Sequence, residues 1–447
     1  MLLYIHVPFC RSKCRYCAFY SRPINQDEGA LEAWASAIEA DLLAWGRSCD
    51  LRWKPRPRVT SVFFGGGTPS LVPPDLLARL LDRAREEFRF EADAEISMEA
   101  NPESVTTDKA RAYREAGVNR VSLGVQALDD ALLRTVGRVH SRADALSAFE
   151  ALRRAGFENV GLDFIWGLPG ETLESWCRQL EEAASLRPEH LSCYGLTLEE
   201  GTPLWARRDS LDLPDEDTQA AMYTQCGEIL ERHGYRQYEI SNYALPGHEC
   251  RHNLGYWQGR DYLGLGPSAV SAMGARRWSQ PADLDTWLSA PRESLMPDGG
   301  LQRPAPCGRT PATFGTARTA SGASRLIELE ELSFREQAEE LVMLRLRTAH
   351  GLPLEEYRRF TGRDFAADNA ELIAALVDEG LARLEGGSDG GAEQGRAEQT
   401  GMMERVERSE NADGPRFALT RAGMLISNSI IEQCFERIPD APEGAEL

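Results

Sequence analysis

Three cysteines, Cys10, Cys14 and Cys17, stand close together near the start of the chain, in the stretch PFCRSKCRYCAFY. Thiolates in a short loop are ligands for zinc or for an iron–sulfur cluster. Positions i, i+4 and i+7 also share one face of a helix, so a buried stripe is the structural alternative. Against the stripe, the intervening residues are Arg11, Ser12, Lys13, Arg15 and Tyr16, and PFC follows a strand-like run and reads as a loop. A structural zinc site takes four nitrogen or sulfur ligands, and the local sequence offers no fourth. Iron–sulfur clusters normally use four thiolates as well. Three thiolates in a tight loop therefore suggest a cubane cluster with one iron left open for a ligand.

The loop needs a scaffold, and apolar periodicity supplies one. Strand-like runs occur at 2–7 (LLYIHV), 60–66, 95–100, 120–125, 159–167 and 190–196, with helix-period stretches between them. That alternation indicates βαβ units around a parallel sheet, an α/β fold whose six units suit a (β/α)6 barrel or partial barrel. Function in such folds collects at the C-terminal ends of the strands, where GGGTPS, NP, GVQ and GLPGET fall. Residues 1–296 form the expected barrel domain. A Pro- and Gly-rich tract at 297–325 reads as a linker or insertion. Residues 326–447 carry a smaller winged-helix-like α+β pattern, with a low-complexity insert at about 386–414 standing for an enlarged wing.

Composition excludes several functions. The 447 residues carry 50 Lys and Arg against 70 Asp and Glu, a net charge of −20. Nucleic acid needs a basic surface, so it is not an expected partner. No run reaches the roughly 18 apolar residues of a spanning helix. The chain also runs straight into its first strand without a signal-like segment. A cytoplasmic protein is expected, and its ten cysteines read as reduced thiols.

Taken together, C-x3-C-x2-C after YIHVPFC, then VFFGGGTPS, SMEANPESV, RVSLGVQ and GLDFIWGLPGET, resemble the radical S-adenosylmethionine (SAM) superfamily, in its HemN/HemW branch. That branch comprises oxygen-independent coproporphyrinogen III dehydrogenases and their haem-chaperone relatives. The resemblance implies a [4Fe–4S] cluster on Cys10, Cys14 and Cys17, with SAM on the open iron. It also implies a SAM pocket of Tyr4, Tyr16, Gly66, Gly67, Thr68, Glu99, Gln126, Arg138 and Asp163. Read without it, the glycines are a tight β-to-α turn and each polar residue an ordinary surface group.

Two features choose between the branches. The decarboxylating oxidases extend the motif to C-x3-C-x2-C-x-C, whereas Phe19 stands at that last position here. They also carry an N-terminal extension that this sequence does not show before its first strand. Further on, His252, Asn253, Tyr256 and Trp257 form H-N-x-x-Y-W, similar to the haem-binding motif of the chaperones. Imidazole is a usual haem ligand, although a lone histidine among aromatics is also at home as a structural residue. His248 and Cys250 are the neighbouring alternatives, and His248-x-Cys250-x-His252 lacks a well-spaced fourth metal ligand. The expectation is a chaperone that binds cluster, SAM and haem and hands haem to apo-haem proteins, some at the inner face of a membrane. The alternatives are a coproporphyrinogen III dehydrogenase and, more distantly, a C-methyltransferase of a flat aromatic substrate. A homodimer stays open.

Overall fold

Side chains along a strand alternate between faces, and in this chain the alternation separates two chemistries. The structure is a computed structural model that describes residues 1–24, 28–52, 57–290, 327–386 and 414–441. They fall into two compact units, Met1–Leu332 and Ser333–Leu447.

Six strands of the first unit lie parallel and in chain order: β1 (Leu2–Val7), β2 (Arg58–Gly66), β3 (Arg89–Ala100), β4 (Arg120–Gln126), β5 (Val160–Trp166) and β6 (His190–Gly195). Helices α1 (Glu28–Arg52), α2 (Pro74–Glu87), α3 (Thr107–Ala116), α4 (Arg142–Arg154) and α5 (Leu173–Ser185) connect them. Thr106, Ser141 and Thr172 cap three of these helices by accepting from backbone N–H groups of the first turn, each worth about 1 kcal/mol. Gly117, at φ 108°, closes α3 in the left-handed conformation that a glycine adopts without penalty.

The outward row of these strands, with Ile5, Phe64, Met98, Leu123, Leu162 and Leu191 among it, is buried in the main apolar core with the helices. The inward row is polar and small. It runs Ser61, Phe63 and Gly65 on β2, Glu95, Ser97 and Glu99 on β3, Arg120, Ser122 and Gly124 on β4, Gly161 and Asp163 on β5, and His190 and Ser192 on β6. Interiors of complete (β/α)8 barrels are packed with layers of branched apolar side chains. This interior instead leaves room.

The strand Tyr262–Leu265 adds in parallel on the free side of β1, and antiparallel strands extend both edges, so the sheet stays open as a partial barrel. These additions lie outside the six expected units. Their cue is the short apolar run YLGL after the H-N-x-x-Y-W motif. The edge strand Ile327–Glu331 pairs with Arg276–Ser279 and belongs to the first unit. The whole 297–325 tract, and the insert at about 386–414 apart from its two end residues, lie outside the described residues.

The second unit holds a three-stranded sheet in which Arg416–Leu419 pairs antiparallel with both Leu352–Pro353 and Ala382–Glu385. Helices Phe334–Leu346, Leu354–Thr361, Ala370–Asp378 and Ser427–Phe435 accompany it. This is the winged-helix-like order, with the low-complexity insert between the two wing strands.

Candidate functional site

The loop after β1 carries the three cysteines, all partly exposed and unpaired. Two of them are tied into one hydrogen-bonded ring. Thr68 Oγ1 donates to Cys10 Sγ (3.4 Å), and Asn101 Nδ2 donates to Thr68 Oγ1 (3.1 Å). Arg138 Nη2 donates to Asn101 Oδ1 (2.8 Å) and to the carbonyl of Gly124 (2.8 Å), while its Nη1 donates to Cys14 Sγ (3.4 Å). The ends of β2, β3 and β4 thus converge on the loop that follows β1. Burial pulls the Arg138 guanidinium down, but Tyr16, Cys14 and Glu103 hold it above its ordinary value. Burial raises the Tyr16 hydroxyl and the Cys17 thiol. Phe19 is 70% exposed, so no packing demand explains it there.

The glycines beside this loop are required by close approach. A Cβ on Gly67 would lie 2.6 Å from the Phe9 carbonyl oxygen and 2.7 Å from that of Val7. Gly66 sits at φ 105°, with the His6 ring where its Cβ would be, and donates its N–H to Glu99 (3.1 Å). Burial and the nearby Asp163 push the Glu99 carboxyl up to about 8. Asp163 is raised by burial, opposed by donation from Ser192 and from Ser122, the latter at 2.9 Å. Tyr4 donates to His6 Nδ1 (3.1 Å), and the ring of Tyr4 faces Gly65. Gln126 ends β4 at φ 66°, an uncommon backbone for a residue with a side chain.

One cavity of about 660 Å³ joins this loop to the lower half of the barrel. It is lined by all three cysteines, all nine expected SAM-pocket residues, and His252, Asn253 and Tyr256. Trp257 is not among its lining residues. The short helix Arg251–Trp257, here α6, brings the H-N-x-x-Y-W residues against the early strand positions. Glu95 fixes it by accepting from the backbone N–H of Arg251 (2.8 Å) and of His252 (3.2 Å).

His252 is 2% exposed, and both ring nitrogens are engaged, Nδ1 with Ser61 Oγ (2.8 Å) and Nε2 with Tyr256 Oη (3.0 Å). Its ring stacks on Phe63 with centroids 5.1 Å apart. Burial, then Arg120, pulls its pKa down to about 3, so the imidazole is neutral. Asn253 donates to Tyr238 Oη (3.5 Å), which pairs with His190 Nε2 (2.8 Å). Cys250 is buried, donates to Glu95, and has its thiol pushed up to about 12 by burial. Among the described residues, no three His, Cys, Asp or Glu side chains converge on a single-ion site. A cubane spaces its thiolates more widely than one ion does.

Asn101, Arg120, Ser122, His190 and Ser192 also line this cavity, and sequence reasoning did not assign them as site residues. Their cue was a polar residue at every second position of runs otherwise apolar.

Comparison with known proteins gives this architecture a place. Residues 4–183 match the profile of the Radical SAM superfamily, and residues 332–388 that of the HemN C-terminal domain. Heme chaperone HemW of Mycobacterium tuberculosis is 38% identical over 304 residues, 67% of this chain and 77% of that protein. Heme chaperone HemW of Escherichia coli is 35% identical over 381 residues, 85% of this chain and 90% of that one. The mitochondrial Radical S-adenosyl methionine domain-containing protein 1 of Bos taurus is 36% identical over 364 residues, 80% and 75% of the two chains. The solved coproporphyrinogen III oxidase HemN of Escherichia coli superposes with a TM-score of 0.71 at 23% identity, over 97% of this chain and 89% of that one. That last likeness establishes the radical SAM type of α/β fold.

The chain belongs to the HemW family of the radical SAM superfamily.

Proposed function

We propose that the chain is a haem chaperone, holding a [4Fe–4S] cluster on Cys10, Cys14 and Cys17, SAM beside it, and haem in the same cavity, and delivering that haem to apo-haem proteins. The observation that carries the reading is the hydrogen-bonded ring from Cys10 through Thr68, Asn101 and Arg138 to Cys14, at the mouth of a cavity whose far end presents His252. The residues suit the group. Donors aimed at cluster sulfurs stabilise their negative charge and tune the cluster's potential. Bound there, the cluster would supply one-electron chemistry to SAM at its open iron. Gly66 and Gly67 admit the amino-acid end of SAM against the backbone. Glu99 accepts from its ammonium in ionised form, and Asp163 and Gln126 bound the same space.

Haem would take the aromatic end, with Phe63 and Tyr256 flanking the imidazole. Ligation by His252 requires its Nε2 to exchange the Tyr256 hydroxyl for iron. The neutral ring needs no proton loss first. Among the described residues no helix is long and apolar enough to cross a membrane, and transient docking suits delivery to membrane-bound clients.

The rival is decarboxylation of coproporphyrinogen III, which Phe19 in place of a further cysteine speaks against. Transfer tests the proposal. Haem-loaded protein mixed with an apo-haem protein is expected to give up haem, read as the acceptor's absorption spectrum. Anaerobic conversion of coproporphyrinogen III, with vinyl products matching the 5′-deoxyadenosine formed, would instead establish the rival.

A further inference from the structure

The lower half of the barrel holds two buried donors with nothing to donate to. Arg120 and His190 are each 2% exposed, both line the cavity, and Arg120 Nε and His190 Nδ1 have no hydrogen-bond partner. The two side chains converge beside Gly161. A Cβ at that position would lie 3.3 Å from His190 Nδ1, 3.4 Å from Ser122 Oγ and 3.5 Å from Arg120 Nη2, so the absent side chain lets the two come close together. His190 is neutral, because burial and then Arg120 depress its pKa. Its Nε2 faces the Tyr238 hydroxyl, which itself accepts from Asn253, so that hydroxyl donates to Nε2 and the ring proton sits on Nδ1.

The nearby carboxylates do not satisfy Arg120. Glu95 accepts from Arg251 N, His252 N and Ser97 Oγ, and Asp163 from Ser122 and Ser192. Arg120 therefore has charged neighbours but no hydrogen-bonded counter-ion. Those neighbours hold the guanidinium above its ordinary value despite burial, and a carboxylate in fork geometry is the natural complement of the donor they leave unpartnered.

We propose that Arg120 and His190, which both line the barrel cavity, form a carboxylate subsite there. Resting on the haem reading above, this subsite takes a propionate side chain of the macrocycle. It would anchor haem at its edge while His252 approaches the iron.

The test compares haemin with haemin dimethyl ester, titrated anaerobically into the full-length protein and followed in the Soret band. Wild type is expected to bind the free acid at least about tenfold more tightly than the ester, as a charge-assisted pair allows. That ratio should fall to about one in Arg120→Gln and be partly kept in Arg120→Lys. Gly161→Ala, which sets a methyl 3.3 Å from His190 Nδ1 and 3.5 Å from Arg120 Nη2 and so crowds both donors, should lower the ratio too and serves if Arg120→Gln does not fold. Equal affinity for acid and ester in wild type overturns the subsite and leaves the haem reading intact, as does an unchanged ratio in a folded variant. No Soret change with either compound overturns the haem reading and the propionate assignment together.

Discussion

Arg138 links the cysteine loop to two strand ends, but in the proposed function it is the cysteines that hold the cluster, and their removal has the sharper outcome. Cys14→Ala deletes one thiol and the sulfur that Arg138 faces. After anaerobic reconstitution it is expected to hold far less than the about four irons per chain of a complete cluster. Cys177→Ala, on α5 away from the cavity, should reconstitute like wild type. Full iron in both variants would remove the cluster from Cys14. Gly67→Ala probes the turn beside the loop. Its methyl would press on the Phe9 and Val7 carbonyl oxygens, and such overpacking costs about 1–3 kcal/mol. Chemical denaturation should read that loss together with weakened SAM binding, and an unchanged midpoint would contradict the fit. Both positions were legible in the sequence because cysteine spacing and glycine runs carry local meaning. Asn101 was not assigned to the site there, since its bonds to Thr68 and Arg138 join residues distant in the chain.

At the scale of elements, all six parallel strands stand where the apolar runs lie, because strand burial in a βαβ unit is written in consecutive residues. β3 starts earlier than its run at 95–100 because Arg89 and Phe90 also pair, with Arg58 and Val59, ahead of a register shift that apolarity could not signal. The H-N-x-x-Y-W helix was legible as a motif and not as a position. Glu95, far away in sequence, ties its first turn to the sheet, together with the Arg251 pairs to Glu91 and Asp93 and the His252–Ser61 bond. Glu95→Ala should therefore cost about 2–3 kcal/mol, since two backbone donors and Ser97 Oγ lose a buried charged acceptor. The loss is measured by denaturant titration, and a change below about 0.5 kcal/mol would mean that Glu95 does not hold the helix.

For the whole molecule, the buried acids and histidines set a pH dependence. Glu99 is raised to about 8, with burial as the main cause, and Glu171 and Glu239 to about 7 for the same reason. Each keeps its proton when folded at pH values where the unfolded chain has lost it, so its stabilising contribution falls as pH rises through its folded pKa. His6, His190 and His252 are depressed by burial, and their contribution is lost only below about pH 6.5, where the unfolded chain gains protons. Between about pH 6.5 and 8.5 the three raised acids outweigh the depressed amines of Lys109 and the N-terminus, whose contributions run the other way. The melting temperature of the cluster-free protein should fall across that window, and Glu99→Gln should flatten the fall. A rising melting temperature there would contradict the buried-acid assignment. None of this was legible in composition, because a net charge of −20 counts a buried carboxyl like an exposed one.

The central claim is that haem binds in the barrel through the His252 region. Its most direct test is an anaerobic haemin titration of cluster-reconstituted wild type, His252→Ala and Tyr256→Phe, followed in the Soret band. Wild type should saturate at about one haem per chain, with the band lost or shifted in His252→Ala and retained in Tyr256→Phe, which frees Nε2. Identical saturation in wild type and His252→Ala would move the ligand elsewhere, with His248 the first place to look. No saturable binding in any of the three would contradict the claim itself.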